Sequence, residues 1–359
     1  MINSRNFDNI RTVALLSILL IHTGLNNIGF KTFEKELTDS SFYLNFNQLL
    51  MDVLYLNLFK AGTILFFIIS GFLFEMQYLK FNDFSVFIRK KAKSLLRPYL
   101  VIFVIPTVIL IGIIEPNVGV KENLNLVTFL IKAFSNIFLT SYWFVPALFV
   151  TLVINYFIES KNLFKSLYLF ILIWLISYLN IYLKFTVSSH TVWFIAFLFV
   201  FTLGRIMFLY NEKISSWRIL KDPKKLTFLM ILFYIISNVE SILILRFAHN
   251  PDCVNTMRIG NVFYSFCLFY LLNAYFNKFK FELPIDISFY FVYLIHPFVV
   301  KITAKLLADN NLFLFEYPYQ FLFNFIHFLI VLTICIGFQQ VFFKLRFKSK
   351  TLSGYVFKK

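Results

Sequence analysis

The chain has 359 residues, of which 59% are hydrophobic and 14% charged, against roughly 25% charged in soluble proteins. With 51 Phe, 19 Tyr and 4 Trp and a mean hydropathy of +0.76, it holds more apolar surface than a water-soluble fold of this size can hide, which excludes an ordinary soluble protein. The formal charge of +16 has a simple source in the cytoplasmic loops of a membrane protein and calls for no nucleic acid.

Only helices and closed barrels satisfy every backbone group in hydrocarbon, and the apolar runs here reach about 20 residues without strict alternation. The expected fold is therefore all-α, a polytopic bundle of about ten transmembrane helices. In chain order the expected spans are 10–29, 60–79, 98–115, 141–158, 166–183, 191–210, 226–246, 258–276, 287–306 and 320–343. The first follows Arg5 and Arg11 as a signal peptide would, but it is long for one and lacks a small-x-small cleavage site, so it is expected to be retained. The stretch 31–59, with Glu34, Glu36, Asp39 and several Asn, reads as the longest polar outside segment. The amphipathic run 123–140 reads as an interfacial or re-entrant helix. With the amino terminus inside, most of the 34 Lys and Arg residues fall in inner segments, which puts both termini in the cytoplasm. No linker marks a second domain, so 1–345 is expected as the membrane domain and 346–359 as a basic cytoplasmic tail. Cys253, Cys267 and Cys335 lack the spacing of a disulfide framework or metal site and read as packing residues.

Several side chains stand out against this apolar background. Arg11 and His22 lie eleven residues apart on the first helix, with Asp8 just before them. That spacing is about three turns, which places the two on one face and roughly 16 Å apart along the axis. An Arg at a cytoplasmic helix end is ordinary, whereas an ionisable group inside a span is costly and usually faces a polar cavity. In the second span, Ser70 and Gly71 within Phe66-Phe67-Ile68-Ile69-Ser70-Gly71-Phe72 permit close helix packing or a bend. The basic run Arg89, Lys90, Lys91, Lys93 and Arg97 ends at Pro98. It suits anionic lipid headgroups or the phosphates of a nucleotide-like donor. In the ninth span, Tyr293-Leu-Ile-His296-Pro297 sets a second histidine beside a proline that frees a carbonyl near residue 293. The alternative there is a hydrogen-bonded structural histidine at a kink. His327 reads as a packing residue, and His190 and His249 as loop-edge residues.

Taken in order, these pieces resemble the acyltransferase 3 family of integral membrane O-acyltransferases, which modify cell-surface polysaccharides. The resemblance rests on Arg11 and His22 with Asp8, on Phe66 to Phe72, on the basic segment leading into Pro98, on Trp143-Phe144, and on Tyr293-Leu-Ile-His296. Where members often carry two arginines three residues apart, this chain has Lys90 and Lys93 flanked by Arg89 and Arg97. Lysine does not reproduce a bidentate guanidinium clamp.

The resemblance implies transfer of an acetyl or succinyl group from cytoplasmic acyl-CoA, a co-substrate rather than a resident cofactor, to a sugar hydroxyl of a capsule, exopolysaccharide or lipid-linked glycan. His22 is then the base, with Arg11 and Asp8 completing the catalytic set. Ser70, His296 and Tyr293 are candidates for the oxyanion or a second site, and Arg89, Lys90, Lys93, Arg97 and Trp143 for donor binding. No metal is expected. The partners implied are the bilayer of a bacterial cell membrane, the glycan acceptor and other polysaccharide-assembly proteins. A transporter or flippase of a lipid-linked saccharide is the alternative, but it predicts two related halves with matching broken helices, and no such symmetry is seen.

Overall fold

The computed structural model describes residues 6–23, 46–78, 80, 83–102, 142–189, 191–250, 252–279, 288–309 and 319–348. Among them the regular structure is helical throughout. The long helices are α1 (Phe7–Thr23), α2 (Phe46–Phe59), α3 (Gly62–Tyr78), α4 (Phe84–Lys91), α5 (Phe144–Tyr156), α6 (Leu163–Leu183), α7 (Phe197–Leu209), α8 (Pro223–Ala248), α9 (Ile259–Phe279), α10 (Phe289–Asp309) and α11 (Tyr319–Lys348). Two short helical turns, Asn211–Ser215 and Arg218–Lys221, lead into α8. That helix starts on Pro223, with the Asp222 carboxylate accepting from the Lys224 and Lys225 amides, a standard way to satisfy first-turn donors.

Among the described residues, six helical segments are long and apolar enough to cross a membrane: Val53–Tyr78, Ser160–Leu183, Pro223–Ala248, Ile259–Phe279, Phe289–Leu307 and Leu322–Lys344. Phe144–Tyr156 and Phe194–Leu209 are apolar but shorter. Of the expected third span only 98–102 is described, and it is helical; the run 123–140 lies outside the described residues. At the far end α11 continues through Lys348, past the position where the tail is expected to begin.

One expectation is corrected. The second half of 31–59 is not a polar outside segment: α2 occupies it, and Val53, Leu56 and Asn57 are fully buried. The Asn57 amide donates to Asn238 Oδ1 at 2.9 Å and to Ser241 Oγ at 3.0 Å on α8. A polar residue inside the bundle is tolerated because its donors are matched.

The core centres on α3, which packs on α1, α5, α7 and α9. In the α3 span 56% of residues are buried, against 28% in the spans of α6 and α11, which places those two at the periphery. Their outward faces repeat Tyr168, Leu169, Leu172 and Leu179, and Leu322, Phe325, Ile326 and Leu329, the pattern of lipid-facing stripes.

Gly71 and Gly204 let α3 and α7 touch backbone to backbone. A Cβ on Gly71 would lie 2.0 Å from the Phe201 carbonyl oxygen, and one on Gly204 would lie 2.2 Å from that of Ile68. The Ser-Gly pair of the second span is thus, at its glycine, a packing device. Gly337 on α11 has nothing within 4 Å of its Cβ position. Gly71→Ala should therefore lower stability by about 1–3 kcal/mol or more through overpacking, whereas Gly337→Ala should be neutral or slightly stabilising. Thermal unfolding of both variants in detergent checks the contrast.

Candidate active site

α1 runs without a break from Asp8 and Arg11 to His22 in its last turn. Arg11 Nη1 pairs with Asp8 Oδ1 at 2.7 Å, with Arg11 partly buried and Asp8 exposed. The His22 ring lies 5.3 Å, centre to centre, from that of His296 on α10. Two histidines that are distant in sequence are therefore neighbours inside the bundle.

Pro297 explains the state of His296. Within α10 the Tyr293 carbonyl would accept from the amide four residues on, and proline has no N–H. His296 Nδ1 fills the gap, 2.6 Å from the Tyr293 oxygen. A carbonyl only accepts, so Nδ1 carries the proton and Nε2 keeps its lone pair. His296 is fully buried, and its Nε2 has no hydrogen-bond partner in the structure. A buried imidazole nitrogen without a partner is costly unless a ligand or water meets it.

Other expected residues gather around this pair. The buried Tyr293 ring stands 5.3 Å from His296 and 5.2 Å from Phe144. Phe144 in turn meets Phe66 at 5.8 Å and Phe67 at 5.2 Å. Three sequence-distant elements, α3, α5 and α10, thus form one aromatic chain leading to the histidines. Trp143 is buried against Phe144 and Phe197. Ser70 is half-buried beside the α3–α7 crossing and makes no hydrogen bond among the described residues.

The basic segment is a helix, not a loop. α4 passes through a π-turn, Ala92–Leu96, and the backbone stays helical to 102. In the π-turn the Arg97 amide donates to the Ala92 carbonyl. Pro98 follows without an amide hydrogen, and the wider turn accommodates that loss. The Leu95 carbonyl accepts from the Tyr290 hydroxyl of α10, which ties the basic turn to the helix that carries Tyr293 and His296. Arg89, Lys90, Lys93 and Arg97 are exposed along this segment.

His327 is a satisfied structural residue. Its Nδ1 donates to the Thr23 carbonyl at 2.8 Å and its Nε2 lies 2.8 Å from Thr303 Oγ1. The three cysteines are buried and free. Among the described residues no cluster of His, Cys, Asp and Glu is arranged to hold a metal.

Sequence reasoning missed two polar clusters. Counted among the inner-segment cations, Arg205 is in fact fully buried on α7, its Nε 2.6 Å from Glu75 Oε2 on α3. Its Nη1 donates to the Asn155 carbonyl at 2.8 Å and its Nη2 to that of Ile158 at 2.9 Å. Ser160 Oγ donates to the other Glu75 oxygen. The signal was present as one acid and one base inside apolar windows, each costly unless paired.

The second cluster joins α2, α8 and the start of α9. Buried Arg258 donates to the Asn255 carbonyl at 3.0 Å, to the Ser237 carbonyl, to Ser241 Oγ and to Asn57 Oδ1. Glu240 accepts from the Ile259 and Gly260 amides, at 3.3 and 3.0 Å, where a helix amino terminus favours an anion. Asp252, in the loop before α9, accepts from Asn255 Nδ2 at 2.6 Å. Burial pushes its carboxyl up to about 6, against the opposing pull of Lys60 and Arg258.

The fold and site define a multi-pass helical membrane protein with a pair of histidines packed between two of its helices. The model of the acyltransferase 3 family, described as an acyltransferase domain, matches residues 4–340, nearly the whole chain. The chain belongs to this family and is a membrane acyltransferase. Neither a curated protein nor a solved structure matches it.

Two predictions follow from the missed clusters. Glu75→Gln, which strands a buried guanidinium, should cost about 3–5 kcal/mol, whereas Glu75→Leu combined with Arg205→Leu should recover much of that loss; unfolding in detergent measures both. Asp252 ionises near 3.8 when unfolded and near 6 in the folded protein, so between those values the folded state holds the extra proton. Its stabilising contribution is complete below the lower value and disappears as pH rises through the upper one. The Tm of the wild type relative to Asp252→Asn should therefore fall between about pH 4 and about pH 6.5, while a difference independent of pH excludes the shift.

Proposed function

We propose that this protein is an O-acyltransferase that moves an acetyl group, or alternatively a succinyl group, from cytoplasmic acyl-CoA to a sugar hydroxyl of a capsule, exopolysaccharide or lipid-linked glycan. The observation that carries the reading is the pair of imidazoles inside the bundle, 5.3 Å apart, the fully buried one of which holds an unpartnered lone pair. In this reading the chain crosses a bacterial cell membrane about ten times with both termini in the cytoplasm, as the distribution of Lys and Arg favours.

Acyl transfer from a thioester to an alcohol needs a base for the hydroxyl proton, stabilisation of the oxyanion and an anchor for the donor. His22 is the base. His296, its tautomer fixed by the Tyr293 carbonyl, is the positioning residue: directly or through one water it accepts a hydrogen from His22, leaving the other His22 nitrogen to take the hydroxyl proton. Arg11 with Asp8, and the exposed cations Arg89, Lys90, Lys93 and Arg97, hold the CoA phosphates at the inner face. The roughly 16 Å from Arg11 to His22 along α1 is a span for the extended pantetheine arm. The acceptor then enters from the outer side, so CoA never crosses the bilayer.

His22→Ala, in protein that inserts at normal abundance, should lower esterified acyl groups on the host's surface polysaccharide by a factor of about 10²–10⁴. The polymer itself should remain. Unchanged acylation removes His22 as the base, and depletion of the polymer favours export of a lipid-linked saccharide instead.

A further inference from the structure

The span Val53–Tyr78 is not one straight helix: α2 ends at Phe59, α3 begins at Gly62, and the turn between them holds Lys60 and Ala61. A cation at a break in a membrane span is costly and needs a reason. Its position relative to the histidines follows from helix contacts. α3 runs antiparallel to α1, with the Phe72 ring 5.0 Å from that of Phe7 and Gly62 against the middle of α1. A Cβ on Gly62 would lie 2.6 Å from the Ala14 carbonyl oxygen and 2.9 Å from Ile18 Cγ1. Ile18 is one turn before His22, and Lys60 lies beyond Gly62 in the same direction. The Lys60 ammonium is accordingly within electrostatic reach of His22, and also of Asp252 and Arg258.

Lys60 is partly buried and makes no hydrogen bond or ion pair among the described residues. The nearby charges are otherwise engaged: Asp252 by Asn255, Glu240 by the α9 amides, and Arg258 at all three of its nitrogens. Arg11 is paired with Asp8 and lies roughly 16 Å down the axis. His296 offers a lone pair at Nε2 rather than a hydrogen. Near the histidine pair, Lys60 is thus a cation with hydrogens to give.

We infer that Lys60 is a further catalytic residue, whose ammonium holds the oxyanion formed on the acyl carbonyl oxygen next to His22. The inference rests on the acyl-transfer reading above. The acceptor oxygen forms a bond to the thioester carbon while its proton passes to His22, and the carbonyl π pair moves onto the oxygen that Lys60 faces. On collapse the C=O bond reforms, the C–S bond breaks, and the departing CoA thiolate takes the proton from His22. Lys60 remains an ammonium throughout. A preformed cation is worth most where charge develops away from water.

The test uses full-length protein in vesicles of host lipid with extracted host surface glycan, and follows release of CoA thiol from acetyl-CoA and from succinyl-CoA. Lys60→Met and Lys60→Gln should lose kcat by a factor of about 10²–10³, with KM for the acyl-CoA changed less than about threefold. Lys60→Arg, which keeps the charge, should retain far more activity than either. Unfolding in detergent identifies which variants fold. If Lys60→Met does not, the comparison of Lys60→Gln with Lys60→Arg decides. An unchanged kcat, or an effect confined to KM, overturns the oxyanion role while the acyl-transfer reading stands. Absence of thiol release by the wild type with both donors overturns the acyl-transfer reading, and the role of Lys60 falls with it.

Discussion

Hydrocarbon supplies no partner to a polar group, so each donor and acceptor inside the bundle is answered by the protein or left for a substrate. The kink at Pro297 shows how that constraint builds a site. Removing one amide hydrogen orphans the Tyr293 carbonyl, the neighbouring imidazole turns its Nδ1 proton to it, and the opposite nitrogen is left with a lone pair deep in the bundle. His327 shows the other outcome, with both ring nitrogens engaged by Thr23 and Thr303. The same side chain is fully satisfied in one place and keeps an open nitrogen in the other, and the difference is one unmet hydrogen bond.

The two buried ionic clusters divide the molecule. At one end of the bundle, Glu75 and Arg205 bind α3 to α7 and, through Asn155, Ile158 and Ser160, to the α5 end and the turn after it. Toward the other end, Arg258 gathers α2, α8 and the α9 terminus. Between them run α1 and α10, which carry the histidines. Burying a guanidinium is expensive, and in both clusters nearly every N–H is spent on a carbonyl, hydroxyl, amide or carboxylate of the protein. Such cations hold helices together.

Much of the fold was legible in the sequence because hydropathy reports the solvent directly: uninterrupted apolar windows became α1, α3 and α5 through α11 within a few residues. The two central histidines were legible for the same reason, as ionisable groups where none is cheap. α2 was not, since Asn57 reads as polar loop until its partners on α8, some 180 residues later, are known. Arg205 was taken for an ordinary positive-inside charge because its carboxylate sits on another helix. Lys60 was read as the edge of a span, and only the break in the helix and the packing of Gly62 on α1 bring it to the histidines. The π-turn was hidden as well, because a proline after a basic run announces an interruption without saying of what kind.

The crossing of α3 and α7 has a mechanical consequence. With main chain against main chain at Gly71 and Gly204, and an ion pair within about a turn of each, the two helices have no compressible side-chain cushion between them and behave as a single strut. Dense interiors transmit strain rather than absorb it. Any opening between helices is thereby shifted away from this crossing, onto pairs that meet through their side chains.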